Sequence, residues 1–151
     1  MRHIAFATAL SLMATATPML AAERILSIGG SVTEIIYALG GEDKVIARDT
    51  TSSYPAAAEE LPDVGYMRAL SPEGVLSVNP DLIVSEAGAG PAETLEVLKK
   101  AGITFLEVPD SFTADGILEK IAAVGEAIGK PAEAAILSAE VENDLTSVAE
   151  K

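Results

Sequence analysis

The sequence predicts an α/β fold with a parallel sheet and right-handed βα crossovers. Short apolar runs alternate with amphipathic stretches, the turns between them are brief, and most helical stretches carry a cap or a glycine stop. Residues 24–28 form a first strand closed by Gly29-Gly30. Ser31-Val32-Thr33-Glu34 then matches a capping box, in which Ser31 accepts the Glu34 N–H and Glu34 reaches back. Val32, Ile35, Ile36 and Leu39 fall at helical spacing, and Gly40-Gly41 ends the helix.

Residues 44–48 read as a second strand, followed by a loop over 49–62 with a turn of helix at 56–60. Ser71-Pro72-Glu73 is a helix start, with a capping serine, proline at the first helical position and an acidic first turn. Asn79-Pro80-Asp81 ends that helix. Residues 82–84 are apolar on both faces, as a buried parallel strand requires. A helix over 91–101, a strand over 103–108 and a helix over 113–128 follow, with Gly102 and Gly129 as stops. A last helix opens at Pro131 and carries Ala135, Leu137, Val141, Leu145 and Val148. It is still in register at Lys151, which reads as a piece of a longer protein.

The N-terminus has a basic start (Arg2, His3), an apolar stretch over 4–13 and a small-residue exit ending at Ala22. This is the pattern of a secretory signal peptide over residues 1–22, cleaved after Ala22. The apolar run falls short of the roughly 20 residues a spanning helix needs. The formal charge is −13; without Arg2, nine basic residues face 23 acidic ones, or −14. Such a chain repels nucleic acid and anionic lipid. There is no cysteine, and the only histidine is His3. The exported part therefore lacks a thiol nucleophile, a disulfide framework and the commonest general base, which argues against an enzyme.

The segments 24–40, 47–52, 61–74 and 79–83 together resemble the haem-binding periplasmic proteins of bacterial ABC importers. The first and last segments are shared with cobalamin and siderophore binders. Gly65-Tyr66-Met67-Arg68 is the piece that points to haem. The resemblance implies two α/β lobes joined by a long helix, with residues 23–130 as the N-terminal lobe and 131–151 as the start of the linking helix. It implies a periplasmic protein that binds ferric haem as cargo, delivers it to an inner-membrane permease with its ATPase, and inserts into no membrane after signal cleavage. A siderophore or cobalamin binder on the same fold is the alternative, and a small nucleotide-binding α/β protein a more distant one.

By the same resemblance Tyr66 is the haem iron ligand. Tyrosinate is a hard oxygen donor that suits ferric haem, and a free phenol ionises near 10, so nearby positive charge helps. In an extended segment Tyr66 and Arg68 would face the same way, with Met67 turned aside. Arg68 could then support the phenolate or pair with a propionate. Arg48 is a second propionate candidate; its alternative is an ion pair with a nearby acidic residue. Tyr54 is the runner-up ligand, Tyr37 a packing residue. Glu73 matches an acidic residue that docks onto permease arginines, or else serves the helix dipole. Gly29-Gly30-Ser31 opens a helix at a strand end, and Asp49 follows the second strand, yet the full dinucleotide glycine pattern is absent and Glu34 would oppose a phosphate.

Overall fold

The computed structural model describes residues 22–149. The leader read over residues 1–22 lies, apart from Ala22, outside the described residues. Four strands form one parallel sheet: β1 (Ile25–Ile28), β2 (Val45–Arg48), β3 (Leu82–Glu86) and β4 (Thr104–Val108). Their order is β2-β1-β3-β4, so β1 and β3 lie at the centre. The helices are α1 (Gly30–Ala38), α2 (Pro72–Ser77), α3 (Ala92–Lys100), α4 (Ala114–Ala127) and α5 (Pro131–Ala149). Short 3-10 turns occupy Glu42–Lys44 and Ala56–Glu60; the first of these has no clear sequence signal.

Both faces of the sheet are covered, which is why β1 is buried at every position. On one face Ile25, Leu82 and Val84 meet Val32 and Ile36 of α1 and Ile121 and Val124 of α4. On the other, Leu26, Ile28 and Ile83 meet Val75 of α2 and Leu98 of α3. Helix α5 folds back along α4, with Ala134 buried and Leu137 and Val141 half-buried against the first core. Gly125 makes that approach possible, because a Cβ there would collide with the Ala134 side chain and the Lys130 carbonyl.

The edge strand carries an irregularity. Ile25 pairs with Val45, but the next residue, Leu26, pairs with Ala47. One extra residue, Ile46, is therefore accommodated in β2. As a result Val45 joins the first core while Ala47 joins the second. Two residues apart on a regular strand would share a face.

Candidate functional site

Ligands of parallel α/β sheets gather beyond the carboxyl ends of the strands, and the sequence-predicted residues lie on the loops that leave this edge. The first loop is Gly29-Gly30-Ser31. Gly29 has φ +102°, and a Cβ there would come within 2.6 Å of both Glu86 Cβ and Glu86 Oε2. Only glycine fits. The expected capping box does not form: Gly29 is the N-cap of α1, with no side-chain cap. The Ser31 hydroxyl instead donates to Glu86 Oε1 at 2.8 Å. With Gly29 at the cap, Ser31 already lies inside the first turn of α1, and its hydroxyl oxygen accepts from Lys120 Nζ rather than from a backbone N–H. The Glu86 carboxylate thus already sits at the turn where a phosphate would need to bind, which counts against the nucleotide reading.

Lys120 of α4 completes this cluster. Its Nζ lies 2.8 Å from Asp110 Oδ1, 3.1 Å from Glu86 Oε1 and 3.1 Å from Ser31 Oγ. Burial lowers its affinity for a proton, but the hydrogen bonds to Asp110 and Glu86 outweigh burial and raise its pKa above the ordinary lysine value. The cluster lines a cavity of about 540 Å³ between α1, α4 and α5, walled by Ile35, Ile117, Leu137 and Val141. At the mouth stand Tyr54 and Phe112, 66% and 95% exposed. Sequence reasoning missed Glu86, Lys120 and Asp110 as a unit, because they lie on three separate elements.

Asp49 follows β2, where a dinucleotide fold would place its ribose carboxylate. Here it is turned inward and fully buried. It accepts from Gly29 N (2.9 Å), Ser52 Oγ (2.8 Å), Thr51 N (3.0 Å) and Thr51 Oγ1 (2.7 Å). Ser52 Oγ in turn accepts from Thr33 Oγ1, which also contacts Ser27 Oγ. The carboxylate is saturated and faces no ligand.

Tyr66 lies on a loop gripped on both sides. Thr50 N donates to the Gly65 carbonyl at 3.0 Å, and Gly65 N donates to Asp63 Oδ1 at 2.7 Å. Gly90 N donates to the Met67 carbonyl at 2.9 Å, and Met67 is buried in the second core. Residues 66–69 do not run extended as expected. Ala69 N donates to the Tyr66 carbonyl at 2.8 Å, so Met67 and Arg68 are the central residues of a tight turn. Tyr66 is nevertheless 47% exposed, Arg68 is exposed and Met67 is buried between them. Among the described residues Arg68 forms no ion pair.

The other candidates separate. Tyr54 lines the cavity, and Tyr66 is not part of its lining. Tyr37 is half-buried against the first core, and burial, followed by Glu42 and Glu60, pushes its phenol above the usual range; it is a packing residue. Arg48 bonds Asp63 Oδ2 at 3.0 Å and the carbonyls of Asp49 and Ala58 at 3.1 and 3.2 Å. It fastens the Tyr66 loop to the edge of the sheet. Glu73 is exposed in the first turn of α2, beyond the Ser71 cap that accepts from Gly74 N.

Comparison with known proteins agrees with this architecture. Residues 25–151 match the family model described as periplasmic binding protein. The chain is 35% identical over 131 residues to the Bacillus subtilis protein named uncharacterized ABC transporter substrate-binding lipoprotein YvrC, covering 85% of this chain and 41% of that one. It is 38% identical over 100 residues to the vitamin B12-binding protein of Vibrio parahaemolyticus, covering 66% and 34%. It superposes on the apo form of the periplasmic heme-binding protein RhuT from Roseiflexus sp. RS-1 with a TM-score of 0.80 at 40% identity, covering 83% and 48%. The chain therefore spans less than half the length of these relatives. With the family model matched over nearly all the described residues, and with relatives named for binding rather than for a reaction, this chain belongs to the periplasmic binding protein family.

Proposed function

We propose that the chain captures ferric haem outside the cytoplasm, in the periplasm, for an ABC importer, with Tyr66 as the iron ligand. The observation that carries this reading is the Tyr66 loop: an exposed phenol on a backbone fixed at Gly65 and Met67. A ligand that must hold a large planar chelate benefits from being rigid before binding. Arg68, exposed and unpaired among the described residues, supplies the positive charge. It supports either the phenolate or a propionate, through charge-assisted bonds. Arg48 supports the site indirectly, since its guanidinium is engaged by Asp63 and backbone carbonyls. Tyr54 remains the runner-up ligand, at the cavity mouth. Glu73 is the proposed contact to the permease.

The chain does no chemistry on its cargo in this reading. The vitamin B12-binding relative favours a second reading, cobalamin as the ligand. Hemin and cyanocobalamin titrations of the chain, each run beside Tyr66→Phe, separate the two. Haem capture predicts a saturable ferric tyrosinate spectrum, weakened at least about a hundredfold by the loss of the axial oxygen. Saturable cobalamin binding with no saturable hemin response would overturn it.

A further inference from the structure

Asp49 is fully buried, and no cation pairs with it among the described residues. A carboxylate taken out of water without a countercharge is tolerated only when its hydrogen bonds are complete. Its two oxygens serve different neighbours. Oδ1 accepts from Gly29 N and Ser52 Oγ, which tie it to the start of α1 and to the Thr33–Ser27 hydroxyl chain. Oδ2 accepts both the backbone N–H and the hydroxyl of Thr51. Thr51 then faces the Tyr66 loop, its Oγ1 4.0 Å from Met67 Sδ. The adjacent Thr50 donates its N–H to the Gly65 carbonyl and its hydroxyl to Asp63 Oδ1. The residues on either side of Tyr66 are thus held by residues 50 and 51, and one oxygen of Asp49 sets the conformation of that pair.

We propose that Asp49 is a positioning residue for ligand capture, holding Tyr66 at the sheet edge through Thr50 and Thr51. The inference rests on the assignment of Tyr66 as the iron ligand. Asn at this position cannot reproduce the set: whichever way its amide turns, an NH2 group meets the backbone N–H of Gly29 or of Thr51.

The test is hemin titration, with the ferric absorbance spectrum and the thermal midpoint recorded for the unmodified chain, Asp49→Asn, Thr51→Val and Ser52→Ala. Thr51→Val removes the hydroxyl between Asp49 and Met67 and keeps the backbone bond. Ser52→Ala cuts the same carboxylate on its other oxygen. Asp49→Asn and Thr51→Val are expected to weaken hemin binding about tenfold and shift the tyrosinate band. Ser52→Ala is expected to lower the thermal midpoint and leave spectrum and affinity unchanged. If Asp49→Asn does not fold, Thr51→Val carries the decision. Unchanged affinity and spectrum in Thr51→Val would overturn the proposal while leaving Tyr66 as ligand. An equal spectral shift in Ser52→Ala would overturn the division between the two oxygens. If the unmodified chain shows no saturable hemin spectrum, the ligation reading falls, and this inference with it.

Discussion

The two halves of the sheet's carboxyl edge treat charge in opposite ways. On the α1 and α4 side, Lys120 holds Glu86, Asp110 and Ser31 within 3.1 Å, so each charged side chain of the group has a partner of opposite sign, one lysine being shared by two carboxylates. On the α2 side, Tyr66 and Arg68 are presented to solvent from a backbone tied down at its neighbours. The first half engages its polar groups with one another, and the second leaves them exposed. Perturbed ionisable groups mark binding and catalytic sites only on average. Here the perturbed lysine marks structure, and the proposed ligand residues are unspent rather than perturbed.

The largest effect that would test this contrast is on stability. Lys120→Met leaves Glu86 and Asp110 without their cation in a half-buried site and is expected to cost about 2–3 kcal/mol, between the values for exposed and fully buried pairs, read by urea denaturation. It should leave the hemin spectrum intact; a shift of the tyrosinate band would break the comparison. The pH dependence follows from the same ion pairs. The folded Lys120 binds its proton more tightly than an unfolded lysine, so its stabilisation is complete below pH 10.5 and lost as the pH climbs through the higher folded value. The unmodified chain should therefore lose stability over that alkaline range more steeply than Lys120→Met does.

Arg68→Ala should do the reverse. Loss of a charge-assisted contact is expected to weaken hemin binding by about tenfold, roughly 1.4 kcal/mol, while unfolding by urea changes by less than about 0.5 kcal/mol. A comparable loss of stability would show that Arg68 belongs to the scaffold. Ser71→Ala removes the α2 cap and should cost about 1 kcal/mol of stability, with ligand binding unchanged. Glu73→Ala, the smallest in solution, should alter stability by about 0.3–1 kcal/mol through the helix dipole. Its distinguishing result is uptake by cells, which falls if Glu73 docks on the permease and is unaffected if it only serves α2.

The local features were legible in the sequence, and the long-range ones were not. The strands read over 24–28 and 82–84, the Ser71 cap and the glycine stops are encoded within a few residues; the cap and stops appear where the pattern places them, and the strands run over Ile25–Ile28 and Leu82–Glu86. Ser31 shows the limit. Its neighbours spell a capping box, but Glu86 claims the hydroxyl from across the sheet. Lys120 was invisible for the same reason, since its partners arrive from β3 and from the loop after β4. At the candidate site, Tyr66 was legible through resemblance, whereas the grips of Thr50 on Gly65 and of Gly90 on Met67 come from partners more than a dozen residues away.

The extra residue in β2 has a consequence for anyone aligning or transplanting this edge. Hydrophobic alternation read straight through 45–49 assigns every side chain after Ile46 to the wrong side of the sheet. A register error of one would exchange the faces of Arg48 and Asp49 and take the buried carboxylate away from its hydrogen-bond donors. Ile46 is thus the one position in β2 where deleting a residue should preserve the arrangement downstream, and a single-residue gap between relatives belongs there.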